Sequence, residues 1–479
     1  MFESEELPDT QPATQSDMLQ DALMESQPIK PPSYGSLQSK LANIETIELY
    51  QHEFKVGREN ICDLVLREIH LPSSKFSCVS KLHFTVKKDL NDVTSPTYIY
   101  DHSVNGTFVN NELIGQNKCR ILKHEDIISI VNVGIRAFVY HDLRHGISTE
   151  IKETELLKRY HISRQIGCGA FGTVHLVYDI VSCQPYAMKQ VLKYPLNERS
   201  RQSFLNDAQR VMNEVNIMKN LNHPCVIKMH DIVDKPESVY MVLEYMRGGD
   251  LLTRIMEKNY LPERTAKLFF LQMCRAVKYL HGHGITHRDL KPDNILLQDN
   301  GEDTLLKVTD FGLSKFVSKN SVMRTVCGTS LYVAPEVFKS KEFGSYTPKV
   351  DIWSLGVVLY AMLSGSLPFF GSSAVEQIKS GKFYMQQSVW ETVTPLVKEL
   401  IVQILCVNPT ERPSINKLLR SSWLRDSEVV RTAKGLMKVP LAMAMSAVTT
   451  VEPRRNTASD VKNNIAASCN SPRSKRKRL

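Results

Sequence analysis

The residues best suited to chemistry lie in one stretch, residues 287–294, which reads His-Arg-Asp-Leu-Lys-Pro-Asp-Asn. Asp289 offers a carboxylate that could accept the proton of a hydroxyl group, and Lys291 places a cation two residues later, within reach of a transferring phosphate. Asn294 adds an amide oxygen, a hard ligand suited to Mg²⁺. The stretch therefore predicts phosphoryl-transfer chemistry, which the rest of the chain must position and control.

Length and composition set the frame for that site. The chain has 479 residues, 42% of them hydrophobic, which is enough for two or three domains with real cores. Its net charge of +9 is uneven: residues 1–40 hold seven acids and two bases, and residues 425–479 hold twelve bases and four acids. Ten singly scattered cysteines without a C-x-x-C pair predict neither a zinc site nor a disulfide framework, and favour a reducing compartment.

Targeting and membrane signals are weak. Residues 1–20 are acidic and polar, so they do not resemble a secretory signal. The most apolar run, residues 352–370, is interrupted by serines, glycines and a proline, which predicts a buried helix and no membrane contact.

Residues 1–45 are rich in Gln, Ser, Pro and acids and poor in aromatics, which predicts a disordered segment. The only three Ser/Thr-Gln pairs of the chain fall here, with Thr10, Thr14 and Ser26 as their hydroxyl residues. Two interpretations stay open. The pairs reflect the bias of a Gln-rich tract, or they form a cluster that resembles target sites of DNA-damage-activated kinases related to phosphatidylinositol 3-kinase.

Residues 46–145 contain short β-branched and aromatic runs separated by turn residues, a pattern typical of an all-β sandwich. The runs are 47–50, 61–66, 83–86, 97–100, 107–109, 127–133 and 137–140. In the connections, Arg58, Ser80 and Lys81 could converge on a dianion, since charge-assisted hydrogen bonds contribute about 1.5–3 kcal/mol each. Asn105 could bind a peptide backbone.

The order and spacing of these connection motifs, with Gly57 and His83 beside them, resemble the forkhead-associated domain, which binds phosphothreonine peptides. The resemblance implies that Arg58, Ser80 and Asn105 touch the phosphopeptide and that Lys81 and Thr107 add second contacts. It implies architectural roles for Gly57 and His83.

Residues 146–159 are interpreted as a linker that runs into a short helix, and a new domain begins at Tyr160. Residues 166–174, Ile-Gly-Cys-Gly-Ala-Phe-Gly-Thr-Val, contain G-x-G-x-x-G, which occurs in dinucleotide-binding loops and in kinases. Here Gly172 leads into a second strand, and Lys189 follows where a dinucleotide fold would need an acid. The pattern therefore predicts a hairpin that covers phosphates, with Lys189 contacting them.

Further motifs follow in order. Residues 210–221 have helical apolar spacing that carries Glu214, and residues 239–250 form a buried strand breaking into a glycine-containing hinge with Leu243 as gatekeeper. Asp310-Phe-Gly, Ala-Pro-Glu at 334–336, Asp-Ile-Trp-Ser-Leu-Gly at 351–356 and Arg412 complete the series. Residues 160–424 are identified on these motifs as a eukaryotic-type protein kinase domain.

This resemblance implies a serine/threonine kinase that uses ATP and Mg²⁺, with Asp289 and Lys291 catalytic and with Asn294 and Asp310 as metal ligands. It implies a structural ion pair between Glu336 and Arg412. The nucleotide-binding set that it implies is Ile166, Gly167, Gly169, Gly172, Val174, Ala187, Lys189, Glu214, Glu244, Met246, Asp250 and Asp293. Asp250 and Asp293 also suggest substrates with a basic residue upstream of the acceptor.

Residues 313–333 are the activation loop, and Arg288 offers a cation for a phosphothreonine. Thr325 is the main candidate; Thr329 is either a second phosphosite or an unmodified hydroxyl that bonds Asp289 and Lys291. With the module before it and the Ser/Thr-Gln cluster, the kinase resembles the checkpoint kinase 2 family of DNA-damage and meiotic effector kinases.

The basic tail, residues 425–479, ends in Arg-Ser-Lys-Arg-Lys-Arg-Leu, which is a nuclear import signal, a nucleic-acid contact or a solvated end. Import is favoured over direct nucleic-acid binding because the run has no aromatic residues. We expect a nuclear kinase that an upstream kinase related to phosphatidylinositol 3-kinase activates through a transient homodimer. The alternative is a phosphothreonine-binding adaptor with a non-catalytic kinase fold, which the presence of Lys189, Asp289 and Asp310 opposes.

Overall fold

A computed structural model describes residues 33–143, 154–169, 172–192, 219–235, 238–311, 329–339, 347–385 and 388–438. The chain divides into two compact units, residues 1–166 with 175–185 and residues 167–174 with 186–479. The predictions for Thr10, Thr14, Ser26, Glu214 and Thr325 lie outside the described residues, and so does the one for the side chain of Thr329.

The first unit is built on two sheets. Their strands are β1 (Gly35–Ser39), β2 (Ile47–Leu49), β3 (Glu53–Gly57), β4 (Leu64–Val65), β5 (Phe84–Lys88), β6 (Thr97–Asp101), β7 (Thr107–Val109), β8 (Glu112–Leu113), β9 (Cys119–Leu122), β10 (Asp126–Ile130) and β11 (Arg136–Asp142). One sheet has the order β2-β1-β11-β10-β7-β8 and the other the order β4-β3-β5-β6-β9. Among the described residues of this unit are two short helices, α1 (Ser73–Phe76) and α2 (Thr154–Arg159).

The two sheets share one apolar core, as alternating inward residues of a sandwich require. The rings of Phe84 and Phe138, one from each sheet, meet edge to face at 6.0 Å. The Tyr140 hydroxyl donates to Thr97 Oγ1 at 2.9 Å across the same core. The predicted all-β sandwich is confirmed.

The predicted disorder of residues 1–45 is wrong for its last part. Strand β1 pairs with both β2 and β11, and Tyr34 and Leu37 are buried in the sandwich core. The apolar residues here are few, so the composition of the segment hid them. Two strand partners supply the burial and the hydrogen bonds that the segment lacks alone.

Strands β12 (Tyr160–Gly169) and β13 (Gly172–Asp179) are neighbours in a sheet, and β14 (Pro185–Leu192), β16 (Ser238–Glu244) and β15 (Met229–Asp234) follow in antiparallel pairing. A two-stranded sheet of β17 (Ile295–Leu297) and β18 (Leu306–Val308) lies at the active site. In the described part of the second unit, the α-helices are α3 (Leu251–Lys258), α4 (Glu263–Gly282), α5 (Pro335–Lys339), α6 (Lys349–Ser364), α7 (Ala374–Ser380), α8 (Pro395–Ile404), α9 (Ile415–Leu418) and α10 (Ser427–Leu436).

Helix α6 is the central helix of the second unit, because all fourteen of its residues from Val350 to Leu363 are buried. It confirms the predicted buried helix within residues 352–370. No helix in the described part of the chain has the length and apolarity needed to cross a membrane.

Beyond residue 424, the predicted end of the kinase domain, the first part of the predicted basic tail forms a helix. Helix α10 packs on the helical lobe through buried Val429 and Ala433. Asp426 caps it by accepting hydrogen bonds from the amides of Glu428 and Val429. The helix was missed because its charged exposed face dominates the local composition.

Candidate active site and phosphopeptide site

Asp351, a residue of α6, organises the catalytic loop, residues 287–294. Its carboxylate accepts the main-chain N–H groups of His287 at 2.9 Å and Arg288 at 2.8 Å, and the His281 Nε2 group at 2.7 Å. Arg288 adopts a left-handed φ of 70°, which is uncommon for a residue with a side chain. The buried carboxylate therefore holds the loop in a conformation that the loop sequence would not choose alone.

His287 joins this loop to the strand that carries Asp310. Its Nδ1 atom accepts the Asp289 N–H group, so the ring proton is on Nε2, which donates to the Thr309 carbonyl at 2.9 Å. The ring is fully buried and meets Phe311 edge to face. These contacts give His287 a structural role.

The predicted catalytic side chains come together within the loop. Lys291 Nζ lies 3.1 Å from Asp289 Oδ2, and Asn294 Nδ2 donates to the same oxygen at 3.1 Å and to the Asp289 carbonyl at 2.7 Å. These contacts orient the Asp289 carboxylate. Because the Asn294 amide nitrogen makes these bonds, the amide oxygen is the side-chain atom that could bind a metal ion. The Thr309 N–H group donates to the Asn294 main-chain carbonyl, which places Asn294 next to Asp310.

Lys189 and Asp310 form a direct ion pair of 2.6 Å. Lys189 is buried on β14, whose register with β16 is fixed by the pairs Ala187↔Leu243 and Lys189↔Met241. Asp310 has a left-handed φ of 61°, which turns the chain at the end of β18. A cation and a carboxylate meeting at this point form a site for a phosphate chain and a divalent cation.

In the glycine-rich hairpin, Gly172 is the position where the structure requires a glycine. Gly172 has φ +137°, and a Cβ atom there would lie 1.8 Å from the Gln190 carbonyl. A side chain is therefore excluded by both conformation and space. The other residues predicted for this hairpin lie on its two strands: Ile166, Gly167 and Gly169 are in β12, and Val174 is in β13.

The hinge contains a buried ion pair that the motifs did not reveal. Glu244 ends β16, its Oε1 atom lies 2.7 Å from Lys307 Nζ, and it also accepts the Lys228 N–H group at 2.7 Å. Because the Glu244 side chain is occupied in this way, only its backbone is left for adenine. Met246 is buried just after it, and Asp250 caps α3 by accepting from the Thr253 amide.

An acidic cluster borders the catalytic loop. Burial raises the pKa of Asp293, the Lys291 cation lowers it, and the carboxylates of Asp250 and Asp289 raise it further. Three carboxyl groups that interact in this way are suited to a cationic side chain of a substrate.

The predicted structural ion pair is present. Arg412 donates to both oxygens of Glu336, at 2.9 and 3.0 Å, in a bidentate arrangement. The guanidinium is fully buried, lies over the Trp353 ring and also bonds the Cys406 and Lys349 carbonyls. Its donors are thus well satisfied, as a buried cation requires.

In the first unit, three loops present the predicted phosphopeptide residues. The guanidinium of Arg58 is exposed, and the Ser80 hydroxyl accepts the Val104 N–H group at 3.1 Å. Asn105 is exposed and donates to the Cys78 carbonyl at 2.8 Å. Lys81 is exposed and pairs with Glu59 at 2.8 Å. The hydrogen bonds of Ser80 and Asn105 thus hold the loops together, and the loops present two cationic side chains at the surface.

His83 and Gly57 support those loops from within. The His83 Nδ1 atom accepts the Ser80 N–H group, and Nε2 donates to the Gly106 carbonyl. Burial lowers the pKa of His83, which keeps the ring neutral. At Gly57 a Cβ atom would lie 2.1 Å from the Lys81 carbonyl, so only glycine lets the two loops approach.

Thr107 departs from the expected direct peptide contact. It is fully buried, and its hydroxyl donates to Asp101 Oδ1 at 2.8 Å, so its side chain is not presented at the surface. Asp101 also accepts the Ser103 hydroxyl at 2.6 Å and thus organises the loop that carries Asn105. The sequence offered a signal for each of the two organising acids. Asp101 is an acid at the end of an apolar strand, and Asp351 is an acid inside an apolar helix.

Comparisons with known proteins agree with this architecture. A family model for the protein kinase domain matches residues 160–424, and one for the FHA domain matches residues 54–131. The chain therefore belongs to the protein kinases and carries a forkhead-associated module before the catalytic domain.

Several relatives match this chain over most of its length and most of their own. The chain is 51% identical over 436 residues to the ovarian-specific serine/threonine-protein kinase Lok of Drosophila melanogaster, covering 87% of this chain and 91% of the relative. It is 35% identical to the serine/threonine-protein kinase chk-2 of Caenorhabditis elegans, covering 86% of each. The crystal structure of Rad53 1-466 in complex with AMP-PNP matches with TM-score 0.52 and 27% identity, over 81% of this chain and 99% of that one. The protein is a serine/threonine kinase of the checkpoint kinase 2 family.

Proposed function

We propose that the kinase acts in a DNA-damage or meiotic checkpoint in the nucleus and is activated by phosphorylation-dependent dimerisation. An upstream kinase related to phosphatidylinositol 3-kinase phosphorylates Thr10 or Thr14. The phosphothreonine of one chain docks on Arg58 and Ser80 of another, and the two kinase domains phosphorylate each other at Thr325.

One observation carries this proposal: a surface suited to phosphate, with Arg58 and Lys81 exposed beside the Ser80 hydroxyl, occupies the same chain as a kinase site. Docking through the segment that carries Thr10 and Thr14 would raise the local concentration of kinase domains to roughly the mM range. Even a slow intermolecular reaction becomes efficient at that concentration.

The transfer step follows from the catalytic loop. Asp289, steadied by Asn294 and Lys291, accepts the hydrogen bond of the substrate hydroxyl and its proton as the phosphoryl group transfers. Lys291 and Lys189 supply positive charge where the transferred group and the nucleotide phosphates lie. Asn294 and Asp310 would hold Mg²⁺, which neutralises charge on the phosphates when bound.

The acidic cluster of Asp250, Asp289 and Asp293 would select substrates. Asp250, Asp293 and Asp289 interact closely enough to influence the pKa of Asp293, and this cluster would attract an Arg or Lys upstream of the acceptor hydroxyl. Peptides with that residue replaced by Ala should show a higher KM with a similar kcat.

The activation model is tested on the full chain by light scattering and by the stoichiometry of Thr325 phosphorylation after treatment with an upstream kinase. Wild type should dimerise and gain phosphate at Thr325. Thr10→Ala with Thr14→Ala, and separately Arg58→Ala, should do neither. Lys87→Ala is the matched control, because it removes a cation that pairs with Glu53 toward the other end of β5. Retention of Thr325 phosphorylation in the Thr10/Thr14 variant would refute the proposed trigger.

A second experiment separates this model from two others. If phosphorylated chains stay monomeric and yet phosphorylate a phosphothreonine-bearing substrate faster than its unphosphorylated form, the module recruits substrates instead of a second copy. Asp289→Ala should abolish phosphate transfer to a peptide. Equal transfer by wild type and this variant would favour the adaptor function.

A further inference from the structure

Cys119 on β9 and Cys183 in the turn between β13 and β14 lie close together, where that turn covers the edge of a sheet. β9 is the edge strand of its sheet, and such edges expose unpaired main-chain groups. Here the Ile121 N–H group donates to the Ile180 carbonyl, at 3.1 Å, in the turn between β13 and β14. Cys119 lies two residues before Ile121, and Cys183 lies three residues after Ile180. The hydrogen bond therefore brings the two cysteines side by side.

Other contacts in the first unit hold this arrangement. The Ser163 hydroxyl of β12 donates to the Thr94 carbonyl at 2.7 Å, and Arg164 pairs with Asp92. The turn itself is tight, because the Cys183 N–H group bonds the Asp179 carbonyl at 2.8 Å and Cys183 adopts a left-handed φ of 57°. Cys183 is thus fixed in place by its backbone.

The two thiols are free and partly accessible. The hydrogen bond from Cys183 lowers the pKa of Cys119 to about 7, against the opposing effect of burial, and the Tyr100 hydroxyl on the paired strand adds a second bond. The same contact raises the pKa of Cys183. Near neutral pH, Cys119 therefore has a large fraction of thiolate, the form that reacts with oxidants.

We propose that Cys119 and Cys183 are a peroxide-sensitive pair that closes to a disulfide and covalently joins the phosphopeptide module to the β13–β14 hairpin. The Cys119 thiolate attacks hydrogen peroxide, breaking the O–O bond, to give a sulfenic acid and hydroxide. The Cys183 sulfur then attacks the sulfenic sulfur and water leaves. The sum is two thiols and one peroxide giving one disulfide and two waters, a two-electron oxidation.

The physical consequence is that the contact at Ile121 can no longer open. In the reduced protein, one backbone hydrogen bond and a few side-chain contacts hold the hairpin on β9. In the oxidised protein, a covalent bond two to three residues away fixes the same contact. A thiol reductant reverses the change, as expected for the intracellular disulfides that act as sensors.

The test uses the full chain, treated with hydrogen peroxide, alkylated and mapped by mass spectrometry without reduction. We expect peptides carrying Cys119 and Cys183 to be joined with the loss of two hydrogen atoms and to separate with dithiothreitol. In Cys183→Ser the reaction should stop at the Cys119 sulfenic acid, which dimedone traps. Cys119→Ser should give no cross-link. Cys406→Ser is the matched control, since this partly accessible thiol bonds Glu411, and the cross-link should persist.

Hydrogen exchange supplies an independent measurement. The Ile121 amide should exchange at least several-fold more slowly after oxidation, and the rate should recover on reduction. The proposal is overturned if Cys406 oxidises at a peroxide dose that leaves Cys119 and Cys183 unjoined, or if dimedone fails to label Cys119 in Cys183→Ser. An unchanged Ile121 exchange rate in the cross-linked protein would refute the proposed restraint.

Discussion

The Asp351 carboxylate accepts the Arg288 N–H group at 2.8 Å, from a helix position 63 residues further along the chain. The contact fixes the left-handed backbone of Arg288 directly before Asp289, and Asp351 is only 1% exposed. We therefore expect the catalytic geometry of this kinase to depend on a buried acid that lies on another element, α6.

Asp351→Asn should lower kcat by about 100-fold, because a misplacement of roughly 1 Å in a catalytic group has an effect of that size. The amide keeps one acceptor oxygen and loses the other, so one of the two main-chain bonds fails, while KM for ATP changes little. Steady-state kinetics provide the measurement. Asp303→Asn, which removes an exposed ion pair with Arg264, is the control and should leave kcat unchanged. Wild-type kcat in folded Asp351→Asn would contradict this role.

Gly57→Ala should weaken binding of a phosphothreonine peptide at least tenfold, about 1.4 kcal/mol. The new methyl group would lie 2.1 Å from the Lys81 carbonyl and would push the Arg58 and Lys81 loops apart. Calorimetric titration of the full chain measures the effect. Gly134→Ala is the matched control, because its methyl group would meet only the Asn132 side chain, at 3.2 Å, and affinity should be preserved. Equal affinities for the two variants would rule out the steric argument.

His223 should make the kinase less stable as pH falls. Burial, with the cations of Lys307 and Arg275, lowers its pKa from 6.5 to about 4. The unfolded chain therefore takes up the proton first, so the contribution to stability is complete above pH 6.5 and is lost as pH falls toward 4. Urea unfolding at a series of pH values should give a flatter profile for His223→Asn than for wild type. Parallel profiles would show that His223 does not cause the slope.

Lys307→Met should destabilise the kinase by about 3–5 kcal/mol, because Glu244 would remain as a buried charge without its cation. The double variant with Glu244→Gln should recover most of that loss, since the amide oxygen can still accept the Lys228 N–H group. Denaturant unfolding of wild type, both single variants and the double variant measures the coupling. Additive effects would show that the 2.7 Å pair does not act as a unit.

The sequence allowed prediction of the kinase family and most of the chemistry, because Asp289, Lys291 and Asn294 lie within six residues and their contacts are local. Alternating strands predicted the sandwich for the same reason. Strand β1 and helix α10 were missed, since each is stabilised mainly by partners distant in the chain rather than by its own composition. Thr107 was assigned to the peptide surface from its motif, although packing buries it against Asp101.

What the sequence determined by itself is thus the set of reactive groups and their order, which short-range spacing specifies. Only the tertiary structure decided which acids hold those groups, as with Asp351 for Arg288 and Asp101 for Thr107. It also brought together pairs of residues that belong to no recognised motif, such as Glu244 with Lys307 and Cys119 with Cys183. The physical reason is that such contacts form between strands and helices brought together by core packing, and neither residue of a pair carries a local signal for its partner.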